Sequence, residues 1–107
     1  MLKKQVKTLR ELSCNLINNC YGIDRICIVK GTNVDNEFYQ NLLIVLNNLH
    51  LNVFNVVEAQ SSLDINLATS IAKKSELSDC KYSFVIMVTD NCYVNYRRIR
   101  DLSGNPV

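Results

Sequence analysis

The sequence contains only three glycines, one proline and one histidine among its 107 residues. So few glycines and prolines exclude a collagen-like or linker-like chain. A serine or cysteine nucleophile needs a histidine base within hydrogen-bonding distance. The single histidine, His50, lies in the connection that enters the second predicted strand, at the opposite end of the sheet from the loops that usually bind ligands. We therefore expect His50 to be a solvated or capping residue and the protein not to be an enzyme.

Long apolar segments are also missing. The longest nearly uninterrupted apolar runs are 42–46 and 84–88, whereas a membrane helix needs about 20 apolar residues. The basic N-terminus is not followed by the apolar segment of a signal peptide. The five cysteines are odd in number and form no C-x-x-C pair, which disfavours a disulfide framework and a structural zinc site. The sequence predicts no membrane contact, no metal or cofactor, mostly buried reduced thiols, and an intracellular, cytoplasmic or nuclear location.

The composition is that of one globular domain. The chain is 48% hydrophobic and carries a net charge of +2, which is too small to drive nucleic-acid binding by itself. Residues 1–107 are predicted to form a single α/β domain, with an amphipathic N-terminal helix over 1–21 and a core over 23–107. Leucines at three- and four-residue spacing, among them Leu9, Leu12 and Leu16, indicate that helix. Their stripe must be buried, either within the chain or in a homo-oligomer.

Alternating strands and helices are predicted for the core. Three short apolar runs favour buried strands: 25–30, 51–57 and 83–89. Helices between them follow candidate N-caps at Thr32 or Asn33 and at Ser61, and the more polar segment 93–99 is typical of an edge strand. This order predicts a three-layer, doubly wound, mainly parallel sheet of three to four strands with an extra N-terminal helix.

Arginines and tyrosines are grouped around the last predicted strand. Arginine binds phosphate through two parallel hydrogen bonds, and tyrosine offers a ring on which a base can stack. This grouping predicts contacts with RNA or a partner subunit through Tyr93, Tyr96, Arg97, Arg98 and Arg100. Alternation along a strand would place Arg98 and Arg100 on one face and Arg97 on the other. The alternative is an edge strand protected by charge against unwanted pairing.

The loops that follow the strands contain further candidates. Asp90 and Asn91 follow the third strand and are possible loop contacts, and Glu58 could lie near Asp90 and help it hold Mg²⁺ weakly. A small hydrolase or nucleotide-binding enzyme using Asp90 is therefore a further alternative. The loop at Gly31 has a single glycine, too few for a phosphate-binding loop.

From Ile23 onward the pattern resembles the anticodon-binding domain of class IIa aminoacyl-tRNA synthetases. The strand at 25–30, the residues Gln60–Ser61–Ser62–Leu63, the strand at 83–89 and Arg98–Ile99–Arg100–Asp101, which is similar to an R-x-R-D motif, occur in the order of that family. The chain departs from it in a longer second helix, a shorter hairpin and an end at Val107 before the terminal helix. The resemblance implies a module that contacts RNA or docks a subunit, without catalysis of its own.

A second pattern is similar to the large subunit of caspases. It consists of Gly31–Thr32–Asn33–Val34–Asp35, the strand at 83–88 and Ser103–Gly104–Asn105–Pro106–Val107. Thr89–Asp90–Asn91 stands where that family has a Ser-His-Gly motif. This resemblance implies a catalytically inactive relative that acts as a decoy or a dimerisation module.

Overall fold

The computed structural model describes residues 2–19, 24–60, 62–101 and 103–107. These residues form three α-helices and four β-strands: α1 (Leu2–Asn19), β1 (Ile26–Gly31), α2 (Asn36–Asn48), β2 (Val53–Ala59), α3 (Ile65–Lys74), β3 (Phe84–Val88) and β4 (Val94–Arg98). The predicted end of the first helix, at 20–21, lies outside the described residues.

The four strands form one sheet in the order β2-β1-β3-β4. Strand β1 is parallel to both β2 and β3, whereas β4 is antiparallel to β3. Both crossovers between parallel strands contain a helix, and these helices cover opposite faces of the sheet. The predicted doubly wound, mainly parallel α/β fold is therefore confirmed, with the fourth strand at an edge.

Two apolar layers hold the helices to the sheet. On one face, Leu9, Leu12 and Leu16 of α1 and Phe38, Leu42 and Leu46 of α2 pack with β1 and β3 in a single cluster. On the other face, the small side chains of Ala68 and Ala72 let α3 approach Val29 and Val85 closely. Successive side chains of a strand point to opposite faces, which explains why all five residues of β3 are apolar and buried. Leu9, Leu12 and Leu16 are thus covered by their own chain, without a second copy.

Local signals placed some boundaries wrongly. Helix α2 is capped by Asp35, whose carboxylate accepts a hydrogen bond from the Phe38 amide at 2.9 Å. Helix α3 is capped by Asp64, which accepts from the Leu67 amide at 2.8 Å. The predicted caps Thr32 and Asn33 precede the observed one, and Ser61 lies outside the described residues. Aspartate is as good an N-cap as serine, so the sequence offered several acceptable starts.

Strand β2 is the second departure from the sequence interpretation. Its apolar run predicts a buried strand, yet it forms an edge of the sheet, and Phe54 is 53% exposed. The ring of Phe54 lies 6.3 Å from that of Tyr82, and the guanidinium of Arg25 stands 5.8 Å from its centroid. The aromatic side chain is therefore held in place at the surface.

Candidate functional site

A crevice of about 420 Å³ opens at the carboxyl edge of the sheet. We call it the carboxyl-edge crevice, and its lining comes from the end of β1 and from the segments after β2 and β3: Gly31, Gln60, Ser62, Leu63, Thr89, Asp90, Asn91 and Tyr93. In open α/β sheets ligands usually bind beyond the carboxyl ends of the strands. Both its volume and its place in the fold are those of a small-ligand or side-chain binding site.

Backbone hydrogen bonds shape the wall that carries Asp90 and Tyr93. The Thr89 amide donates to the Tyr93 carbonyl at 2.9 Å, and the Tyr93 amide donates to Thr89 Oγ1 at 3.1 Å. Asp90 Oδ1 accepts from the Asn33 amide at 2.9 Å, which ties the loop after β3 to the loop after β1. These bonds fix the tight connection between β3 and β4, so that Asp90, Asn91 and Tyr93 are presented together.

The three predicted arginines do not lie together. Arg97 is exposed and its Nη1 donates to Asn66 Oδ1 of α3 at 2.9 Å. Arg98 is half-buried and, by strand alternation, shares the opposite face of the sheet with Tyr96. Arg100 reaches Glu76, in the segment after α3. A single surface patch formed by all three guanidinium groups is absent from this part of the chain.

Arg100 is committed to an internal ion pair. Its Nη1 donates to Glu76 Oε2 and to the Tyr82 carbonyl, both at 2.6 Å, and its Nη2 donates to Glu76 Oε1 at 3.2 Å. The Arg100 and Glu76 side chains are only 14% and 5% exposed. This pair joins the end of α3 to the segment that follows β4.

The expectation that Arg98 and Arg100 share a face is wrong. The amides of Ile99 and Arg100 both donate to the Ser83 carbonyl, at 2.9 and 3.3 Å. Two residues thus stand opposite one, as in a β-bulge, which interrupts the side-chain alternation. Alternation places Ile99 on the α3 side with Arg97, and the bulge allows Arg100 to share that side and reach Glu76.

The predicted tyrosines have different environments. Tyr96 is half-buried and stacks on Phe84, with ring centroids 5.4 Å apart. Tyr93 is 58% exposed and lines the carboxyl-edge crevice. Of the predicted contact residues, the structure therefore brings Asp90, Asn91 and Tyr93 into one site and leaves Tyr96 and the arginines elsewhere.

Gln60 and Leu63 also line the crevice, although the sequence pointed to them only as part of a family resemblance and not as contact residues. The rule that loops after parallel strands meet at one edge points to the loop after β2, but not to particular side chains within it. Which of them face the crevice depends on how that loop enters α3.

The single histidine does not line this crevice. His50 is exposed, follows α2 and has a φ of 58°, at the end of the sheet remote from the crevice. Glu58, which could have lain near Asp90, has its Oε1 3.3 Å from Lys30 Nζ and is not among the described residues lining the crevice. The described residues contain no group of three or more His, Cys, Asp or Glu side chains that could hold a metal ion.

A second crevice, of about 430 Å³, lies at the amino edge of the sheet. Its lining mixes basic and acidic side chains, among them Arg25, Lys81, Asp24 and Asp101. The Asp101 carboxylate accepts hydrogen bonds from the hydroxyl and amide of Ser103 and from the Asn105 amide. These bonds, that of the Ser103 hydroxyl above all, hold the pKa of Asp101 below its usual value. Asp101 thus organises its own turn.

The four described cysteines are free thiols. Cys27 and Cys80 are buried, Cys92 is half-buried and Cys14 is exposed, while Cys20 lies outside the described residues. Burial raises the pKa of Cys27 from 9.0 to about 11, although hydrogen bonds with Ser75 and Tyr82 act in the other direction. Cys27 is therefore a protonated core side chain at neutral pH.

Comparison with known proteins finds no matching family model, no matching curated protein and no matching solved structure. Both family resemblances therefore stay predictions. None of the described helices combines the length and hydropathy that crossing a membrane requires.

Proposed function

We propose that this chain is a non-catalytic binding module that docks a partner protein at the carboxyl-edge crevice. One observation carries the proposal. Asp90, Asn91 and Tyr93, which follow β3, all line the crevice, whereas the three arginines around β4 lie apart from one another. A crevice of about 420 Å³ accommodates one or two side chains of a partner.

The distribution of charge favours a protein partner over RNA. RNA binding by this region would need several guanidinium groups on one surface, because neutralisation of phosphates supplies most of the affinity. Arg100 is already paired with Glu76, and Arg97 and Arg98 lie on opposite faces. The exposed ring of Tyr93 remains available for contact with a protein side chain.

Panning a displayed library of random peptides against the protein tests the proposal. We expect selected peptides whose binding is reduced at least about tenfold by Tyr93→Ser, the loss typical of a binding hot spot. Phe54→Ser is the matched control, since Phe54 is similarly exposed but lies at the start of β2, near the amino edge of the sheet. Peptides that bind both variants equally would contradict the crevice as the site.

Titration with a random-sequence single-stranded RNA over a series of salt concentrations tests the alternative. A phosphate-contacting module shows a salt slope that falls by roughly one unit for each contact removed. We expect weak binding and the same slope for the protein and for its Arg97→Ala and Arg98→Ala variants. A slope reduced by either substitution would restore RNA as the ligand.

A further inference from the structure

We infer that the carboxyl-edge crevice binds a guanidinium group, presented as an arginine side chain of the partner. This inference rests on the proposed function and specifies its chemistry. The arginines near β4 suggested an anionic ligand, whereas the geometry of the crevice points to a cationic one.

The charge lining the crevice is negative. Asp90 is the one charged residue among its described lining residues, and no lysine or arginine lines it. The described ion pairs join Lys30 to Glu58 and Arg100 to Glu76, and neither involves Asp90. A carboxylate in a concave site whose described lining carries no basic side chain attracts a cation and repels a phosphate.

The nearest basic candidate on β1 is engaged elsewhere. Lys30 precedes Gly31, but its Nζ lies 3.3 Å from Glu58 and 5.0 Å from the centroid of the Tyr39 ring. Its side chain is only 18% exposed. Lys30 is thus paired with Glu58 on the α2 side and is not one of the described residues that line the crevice.

The remaining lining suits a planar cation with several donors. A guanidinium carries five N–H donors and stacks on aromatic rings, whereas an ammonium is a compact point charge. The residues lining the crevice include Tyr93, whose ring is exposed, Asp90 with its carboxylate, and Gln60, Ser62 and Asn91, whose side chains carry oxygen acceptors. Arg25 over Phe54 shows the same guanidinium–ring contact within this chain.

The carboxylate is also held in position before any ligand arrives. Asp90 Oδ1 accepts from the Asn33 amide, and the close approach of Gly31 restricts the side chain. Fixing an acceptor in advance lowers the ordering cost of binding. A carboxylate accepts about four hydrogen bonds, so one bond to Asn33 leaves room for a ligand's donors.

Nuclear magnetic resonance titration of the isotope-labelled protein with N-acetyl-arginine methylamide tests the inference. We expect amide shift changes centred on Asp90, Asn91 and Tyr93. The citrulline counterpart has the same shape without the charge, and should bind at least about tenfold more weakly because a charge-assisted hydrogen bond is lost. The lysine counterpart should fall between them. Equal binding of arginine and citrulline would overturn the inference.

Two charge-matched variants complete the test. Asp90→Asn keeps an acceptor for the Asn33 amide and should lower arginine affinity about tenfold. Asp24→Asn removes the same charge at the amino-edge crevice and should leave the affinity unchanged. An equal loss in both variants would show a general charge effect and contradict a site at Asp90.

The same experiments show whether the guanidinium comes from a protein partner or from a small ligand. They also test the guanidinium inference and the proposed function separately. An arginine-containing peptide that binds more tightly than the free derivative supports a protein partner, while equal affinity supports a small guanidinium ligand. Selected peptides that need Tyr93 but contain no arginine would uphold the proposed function and overturn the guanidinium inference. If the crevice binds arginine but no selected peptide depends on Tyr93, the guanidinium inference holds and the proposed function is overturned.

Discussion

The carboxylate of Asp90 occupies the space into which a side chain at Gly31 would project. A β-carbon added at Gly31 would overlap with Asp90 Oδ1 and come within 2.8 Å of its Cγ. Gly31 lies at the end of β1 and Asp90 just after β3, so this contact joins the loops that form the carboxyl-edge crevice. Glycine is needed here for room between two strands.

Replacing Gly31 with alanine should therefore push the Asp90 side chain away from the Asn33 amide. Overpacking of this kind costs roughly 1 to 3 kcal/mol of unfolding free energy. Urea denaturation of the Gly31→Ala variant measures the loss. In an Asp90→Ala background the same substitution should cost less, with a coupling of at least about 0.5 kcal/mol. Additive losses would show that the two residues do not interact.

The buried pair of Arg100 and Glu76 should be the strongest single polar contribution to stability near β4. Arg100→Met leaves the Glu76 carboxylate, only 5% exposed, without its cation. Loss of one partner of a buried pair costs about 3 to 5 kcal/mol. Arg97→Met is the control, because Arg97 is exposed, and it should change stability by less than about 0.5 kcal/mol. Similar losses in both variants would contradict the division between these arginines.

On each edge strand, the side-chain oxygen of an asparagine accepts a hydrogen bond from the backbone amide of the next residue. The Val56 amide donates to Asn55 Oδ1 at 2.9 Å on β2, and the Tyr96 amide donates to Asn95 Oδ1 at 2.8 Å on β4. In β4 the amides of Ile99 and of every second residue before it face β3. The Tyr96 amide lies between those positions and therefore points away from β3. Unpaired edge amides promote association through strand pairing.

We therefore expect Asn95→Val to free this amide and to promote self-association. Sedimentation velocity should give a weight-average mass that rises with concentration more steeply than for the parent protein. Asn95→Asp retains the acceptor oxygen and should behave like the parent. If the valine variant and the parent have the same mass at every concentration, the asparagine does not protect the edge.

The raised pKa of Cys27 predicts how stability falls at high pH. The unfolded thiol ionises near pH 9.0, whereas the folded thiol keeps its proton to about pH 11. Unfolding between these values releases a proton, so the contribution is fully present below pH 9 and is lost as the pH rises through 11. Its size is about 2 to 3 kcal/mol, since one pKa unit corresponds to about 1.4 kcal/mol.

Urea titrations from pH 8 to 11 measure this dependence. Cys27→Ala should lose stability less steeply with pH than the parent, and the exposed Cys14→Ala should follow the parent. Parallel curves for the parent and Cys27→Ala would show that ionisation of Cys27 is not linked to unfolding.

Much of the fold was predictable because its signals are local or periodic. The leucines of α1 recur at helical spacing and are buried where that spacing predicts, from Leu9 to Leu16. The run from Phe84 to Val88 is apolar throughout because β3 is covered on both faces. Strand β2 has a similar run, yet it lies at an edge, because apolar composition does not define the order of strands in a sheet.

The candidate site was predictable only in part. Asp90, Asn91 and Tyr93 follow a strand directly, so their place at the carboxyl edge could be inferred from the sequence. The partners of the arginines could not be inferred in this way. Glu76 lies 24 residues before Arg100, and the bulge opposite Ser83 has no signature in the residues that form it.

The order of apolar and polar residues by itself determined which segments are helices and strands, that both faces of the central strands are covered, and that a polar strand closes one edge. Only the tertiary structure shows that Arg100 is an internal partner of Glu76 and that Asp90 is the one charged residue among the described residues lining the crevice. The difference arises because the two kinds of interaction act over different distances along the sequence. Hydrophobic periodicity acts within one element, whereas the partner of a charge depends on which distant segments the fold brings within a few ångströms.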